Sequence, residues 1–305
     1  MNMSSNFFAM LGYVLFGAMG LVTEASGNAS DLQQGTYALA RTTSHIVQAD
    51  NDQKFKLSVA LPAGYQSDAE RRYPVLYVMD GRILFAPTVT TYRMQMLGRR
   101  PEPIIIVGID YAEELDVFGW FARRTEDFTP TNIPVEDALF SEAYGQKTMT
   151  GQASRFRDAL LDRLLPFIEE HYRVTSSRGL MGFSLGGLFA AQDLFQKENS
   201  FDKYMLLSAA LWWDNSAFVF GLEEACYRLR QDLKAEVLIT YGGDEVPDII
   251  SPARQLAQRL SAREYQGLKL SLVEFPGEDH MSVVPASISR AIKTMYVTKR
   301  TPAAE

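Results

Sequence analysis

Short apolar runs alternate with longer amphipathic stretches along most of the chain. The runs that read as strands are 42–48, 54–61, 74–79 (PVLYVM), 104–109 (IIIVGI), 179–182, 204–208 (YMLLS), 236–241 (EVLITY) and 268–275 (LKLSLVEF). Several are unbroken aliphatic or β-branched runs, the pattern of strands covered on both faces. Between them, 153–172 carries apolar residues at 156, 160, 161, 164, 165 and 168, close to the helical period. Helices are also predicted over 185–196, 216–233, 251–260 and 285–296. This alternation predicts an α/β fold whose mostly parallel central sheet is flanked by helices on both faces. Residues 111–151 interrupt it, with no clean period and many Thr, Pro and acidic positions. Connections of that length in compact domains are usually functional, so the segment is expected to cover or line a substrate site.

The N-terminus has a different texture. Residues 7–22 read FFAMLGYVLFGAMGLV, sixteen positions without a charge. A spanning helix needs about 20 apolar residues. The run instead suits the apolar part of a signal peptide, with Ala25, Ser26, Gly27, Ala29 and Ser30 as a cleavage zone. No Lys or Arg precedes it, so a retained anchor helix or a misassigned start is the alternative. The expected organisation is a signal peptide over 1–26 and a single domain over 27–305. That implies a periplasmic or secreted protein with no stable membrane insertion after cleavage.

Composition narrows the function. The net charge of −7 argues against a broad basic surface for nucleic acid. Cys226 is the single cysteine, so neither an intramolecular disulfide nor a cysteine metal cluster can form. It falls within a helical pattern and reads as a small buried side chain.

The chemistry concentrates at Gly182-Phe183-Ser184-Leu185-Gly186. Chance supplies roughly 0.1 G-x-S-x-G matches in a chain of this length, so context matters more than the pattern. An apolar strand enters it and an apolar helix leaves it, as a nucleophile elbow requires, and this predicts the α/β-hydrolase fold. A serine hydroxyl needs an adjacent base. In this fold the order is serine, acid, histidine, and of His45, His171 and His280 only His280 follows Ser184. His45 and His171 read as structural. The acid is expected after 236–241, in GGDEVPD, where Glu245 is favoured over Asp244 and Asp248; a Ser–His dyad without a carboxylate is the remaining option. The oxyanion hole needs two backbone N–H groups, expected from Leu185 and from Arg82 in the loop after PVLYVM. The Arg82 side chain is also a candidate to meet an anionic or phenolic substrate group.

These segments together resemble the esterase D-like branch of the α/β-hydrolases, which includes enterochelin (siderophore trilactone) esterases and mycolyltransferases. The resemblance rests on YPVLYVMDGR (73–82), RRTEDFTPT (123–131), LLPFIEEHYRV (164–174), RGLMGFSLGGLFA (178–190), SAALWWDN (208–215), YGGDEVP (241–247) and FPGEDHMSVVPASI (275–288). It implies Ser184 and His280 as the catalytic pair, Glu245 as their acid, and Trp212 and Trp213 as a paired-Trp segment near the pocket. Those aromatics would pack on catechol rings or stand in the core. Arg124 and Asp127 fall in a loop motif read as structural. Among family members an exported single-domain chain is most similar to periplasmic trilactone esterases. The expected substrate is a small ester, a catecholate siderophore with or without iron, and the chemistry calls for no cofactor and no metal. The competing readings are an esterase, thioesterase or acyltransferase for another acyl ester, and an inactive hydrolase fold used for binding.

Overall fold

A computed structural model describes residues 38–49, 53–98 and 101–297. The expected signal peptide lies outside them. Eight strands form one sheet in the order β1-β2-β4-β3-β5-β6-β7-β8. They are β1 (Thr42–Gln48), β2 (Lys54–Ala60), β3 (Tyr73–Val78), β4 (Ile105–Tyr111), β5 (Val174–Phe183), β6 (Lys203–Leu207), β7 (Glu236–Gly242) and β8 (Lys269–Phe275). β2 pairs antiparallel with β1 and β4; all other pairings are parallel.

The unbroken apolar runs make sense in this frame. Val75, Tyr77 and Met79 join one buried cluster, while Leu76 and Val78 join the cluster on the opposite face. Leu206 and Ile239 face the first cluster; Met205, Leu207 and Leu238 face the second. A two-residue alternation with both faces covered leaves no position where a polar side chain reaches water. Each large aliphatic or aromatic side chain buried this way contributes about 1.5–3 kcal/mol. β8, at the edge, is half-exposed along its length.

Helices α1 (Gly81–Leu97) and α9 (Val283–Met295) cover the second face, joined where the Gln95 amide donates to the Ser289 carbonyl at 2.9 Å. The first face is covered by α2 (Val117–Phe128), α3 (Pro134–Tyr144), α4 (Ala153–Ala159), a π turn (Leu160–Leu164), α5 (Leu165–His171), α6 (Leu185–Leu194), α7 (Ala217–Leu229) and α8 (Pro247–Arg263). Pro166, in the first turn of α5, lacks a backbone N–H, which accounts for the π turn just before it. No helix among the described residues is long and apolar enough to cross a membrane.

Two sequence expectations need correction. The stretch 81–97 carries no predicted helix, yet it forms α1. Its four-residue β-branched run 88–91 and the interior Pro87 weaken the helical signal. Residues 111–151 are not an aperiodic loop. They contain α2 and α3, whose rings form a column with Trp213 of the short strap Trp213–Ser216 that follows β6. Phe121 stacks on Tyr144 (5.8 Å, 15°), Tyr144 on Phe140 (5.6 Å, 21°), and Phe140 on Trp213 (6.5 Å, 13°).

Candidate active site

Ser184 stands between β5 and α6 with φ 56° and ψ −118°. Such a conformation is costly for a residue with a side chain and persists only when its surroundings over-determine it. The surroundings do. A Cβ on Gly182 would lie 2.0 Å from the Gly186 carbonyl oxygen, and one on Gly187 would lie 2.7 Å from Ala209 Cβ. Only glycine permits that approach of strand, turn and helix. The end of β6 then bonds the turn from two sides: Ser184 N–H donates to the Leu207 carbonyl at 3.0 Å, and Ala210 N–H donates to the Ser184 carbonyl at 2.9 Å. Ser184 is 3% exposed.

His280 lies in the turn between β8 and α9. Asp279 shapes that turn by accepting the N–H groups of Met281 at 2.9 Å and Ser282 at 2.8 Å. These bonds, led by the one from Ser282, hold the Asp279 carboxyl below its usual range. The imidazole packs 4.5 Å, centroid to centroid, from the ring of Phe183, the residue before Ser184. Its Nδ1 lies 2.6 Å from Glu245 Oε2. An ionised carboxylate only accepts, so Nδ1 carries the proton in that pair. The other carboxylate oxygen, Oε1, accepts from Ser208 Oγ and Gly242 N–H, each at 2.6 Å. His280 is 4% exposed. Of the three carboxylates in GGDEVPD, Glu245 is the one against His280; Asp244 is exposed and Asp248 belongs to the first turn of α8.

The third component is the end of β3. Asp80 adopts the left-handed conformation (φ 54°, ψ 48°), and its carbonyl accepts from Ile83 and Leu84 N–H at 3.0 Å each. Gly81 and Arg82 therefore open α1 as Leu185 opens α6. First-turn N–H groups have no partner inside their own helix, so Arg82 and Leu185 both offer donors suited to a developing oxyanion. The buried Arg124 fork donates to Asp80 through Nε at 2.8 Å and an outer nitrogen at 2.9 Å, and that nitrogen also reaches the Phe183 carbonyl at 3.4 Å. One guanidinium on α2 thus bridges the β3 turn and the serine turn.

The Arg82 side chain is already engaged. It donates to the Leu115 carbonyl at 3.0 Å, lies 3.5 Å from Asp110 Oδ2, and sits 5.9 Å from the Trp120 ring centre. Burial pushes the Asp110 carboxyl up, against the lowering effect of the Tyr111 N–H, Arg82 and the Trp120 N–H. Trp213 is fully buried, with its indole N–H donated to Thr131 Oγ1 at 2.8 Å, so it offers no surface to a ligand. The core alternative holds for it. Trp212 is also buried, 5.8 Å from Trp213. Asp127 is buried beside Arg123 and Gln53, in line with a structural role. His45 bonds Tyr172 OH at 2.7 Å and His171 bonds the Phe167 carbonyl at 2.8 Å, both on the side of the sheet where β1 lies. Sequence reasoning missed Ser208 and the Asp80–Arg124 pair, because neither has a local signature.

A strained serine after the fifth strand, a buried imidazole–carboxylate pair beyond the last two strands and two helix-opening donors define the α/β-hydrolase fold. Matching solved structures include the BES protein from Bacillus cereus, with TM-score 0.74 and 27% identity over 87% of this chain and 98% of that one. The Esterase family model matches residues 49–267. Ferri-bacillibactin esterase BesA from Bacillus subtilis is 31% identical over 72% of this chain and 78% of its own length. Siderophore triacetylfusarinine C esterase from Aspergillus fumigatus is 25% identical over 85% of this chain and 94% of its own. The chain belongs to the Esterase family and is a carboxylic ester hydrolase.

Proposed function

We propose that the protein hydrolyses the ester bonds of a siderophore, a catecholate trilactone being the favoured substrate, through an acyl-enzyme on Ser184. The observation that carries the mechanism is the 2.6 Å His280–Glu245 contact beside the strained serine turn. With Nδ1–H held by Glu245, the neutral imidazole keeps Nε2 as its base. Ser184 Oγ forms a bond to the ester carbonyl carbon while His280 takes its proton. The carbonyl oxygen becomes an oxyanion that the Leu185 and Arg82 N–H groups receive. Collapse breaks the ester C–O bond, and His280 returns the proton to the departing alkoxide. Water then repeats the sequence on the acyl-enzyme, losing a proton to His280 and releasing the acid and free Ser184. Glu245 orients the ring and stabilises the imidazolium at each passage.

The siderophore assignment draws support from the names of the relatives, which act on ferri-bacillibactin and triacetylfusarinine C. Any iron would arrive with the substrate. Export to the periplasm or medium, suggested by the apolar run 7–22, belongs to the same proposal and is checked by N-terminal sequencing of fractionated protein.

The test is chromatography of iron-free and ferric enterobactin after incubation with the protein, beside p-nitrophenyl acetate and octanoate, for wild type and Ser184→Ala. Rapid conversion of the trilactone to linear products, lost in Ser184→Ala, is the expected result. Turnover of the p-nitrophenyl esters alone overturns the substrate class. Unchanged rates in Ser184→Ala overturn the mechanism.

A further inference from the structure

We infer that Ser208 is a positioning residue for the reaction, acting through Glu245, and that the β6 end sets nucleophile and acid in one register. The inference rests on the Ser184–His280–Glu245 reading above. Ser208 is fully buried and holds φ 43°, a left-handed value that a non-glycine residue rarely adopts. Its hydroxyl donates to Glu245 Oε1 at 2.6 Å, across 37 positions of sequence. Its backbone N–H donates to the Thr240 carbonyl of β7 at 2.8 Å, the strand that leads to Glu245. The residue before it, Leu207, accepts the Ser184 N–H, and Ala210 donates to the Ser184 carbonyl. Within the four-residue stretch 207–210, Leu207 and Ala210 therefore hold the backbone of the nucleophile and Ser208 holds the carboxylate of the acid.

The physical need is specific. Glu245 presents one oxygen to His280, and its other oxygen is held by two donors, the Gly242 N–H and the Ser208 hydroxyl. Without the hydroxyl a single backbone bond is left to resist rotation of the carboxyl group and loss of the imidazole's orientation. A serine hydroxyl supplies a donor without a second charge, so Glu245 keeps its full negative charge for the imidazolium. Ser208 combines that left-handed backbone with a hydroxyl bonded to the acid that follows β7.

The experiment measures the rate of Ser184 labelling by a fluorophosphonate, together with kcat and KM for p-nitrophenyl acetate. Neither readout depends on the natural substrate. Ser208→Ala removes the hydroxyl, and Ser208→Gly removes it while suiting the positive φ, so the second variant folds even where the first does not. Partners that orient metal-ligating histidines are worth about 10–100-fold in activity, and by analogy both variants are expected to fall in this range in kcat and labelling, with KM within about twofold. In a Glu245→Gln background the same substitutions are expected to add less than about twofold, because the residues act as a unit. Wild-type rates in Ser208→Gly, or an equal loss with and without Glu245, overturn the inference. Absence of labelling in wild type overturns the serine mechanism and the inference with it. Labelling without trilactone turnover removes the siderophore reading and leaves Ser208 in place.

Discussion

The two sides of the serine turn are held by different kinds of force. On the oxyanion side, Asp80 and Arg124 form a buried pair of full charges, joined by a two-pronged fork. On the acid side, the Glu245 carboxylate is surrounded by a ring N–H, a hydroxyl and a backbone N–H, each at 2.6 Å. Breaking a buried ion pair leaves an orphaned charge. Removing one neutral donor leaves a carboxylate that still has two. The oxyanion side is therefore committed to folding, whereas the acid side can lose a contact and fail mainly in rate.

The sharpest way to break this contrast is Arg124→Met. It strands the Asp80 carboxylate, and removing one partner of a buried pair costs about 3–5 kcal/mol. The denaturant midpoint should fall by a corresponding amount, and adding Asp80→Asn should recover most of the loss. A single variant with the wild-type midpoint would refute the assignment of fold stability to this pair.

Glu245→Gln probes the opposite side. It keeps the shape but removes the charge opposite the imidazolium and puts an amide where Nδ1–H needs an acceptor. A substitution of this kind lowers kcat by about 10⁴-fold in the serine-protease case. Here we expect a loss of about 10²–10⁴-fold, with an unfolding midpoint well above that of Arg124→Met. Should the midpoints fall in the reverse order, the contrast between the two sides is wrong.

The smallest effect concerns pH. Asp279 is held below its unfolded value by the N–H groups of Ser282 and Met281. A depressed carboxyl contributes stability that is complete above its unfolded pKa, about 3.9, and is lost as pH falls through the lower folded value. The group is largely exposed, so the contribution is modest. Asp279→Asn should flatten the acid limb of the thermal midpoint measured against pH, while leaving the midpoint near neutral pH almost unchanged. An identical acid limb in the variant counts against it.

How much of this could be read in advance depended on whether a signal was local. The strand runs were legible because both faces of the sheet are apolar, and the serine turn because strand, glycines and helix are contiguous. His280 emerged from chain order, and the structure brings Glu245 to it rather than Asp244 or Asp248. α1 was hidden because residues 88–91 favour strands while the fold buries Thr88 and Val89 in a helix. The Asp80–Arg124 and Ser208–Glu245 bonds join residues 44 and 37 positions apart, a distance no local periodicity encodes. The paired tryptophans show the limit of motif reading: a conspicuous dipeptide marked a packed strap, with Trp213 sealed inside it.

The aromatic column across α2, α3 and that strap has an optical consequence. Near-parallel rings in fixed contact give a near-ultraviolet dichroism that vanishes when specific packing is lost, even where helices persist. The column ends on Trp213, three residues past Ala210, so its part of the signal depends on the packing of α3 against the segment that also bonds the Ser184 backbone. Replacing Phe140 by Leu should therefore remove part of the near-ultraviolet dichroism while the far-ultraviolet spectrum stays unchanged.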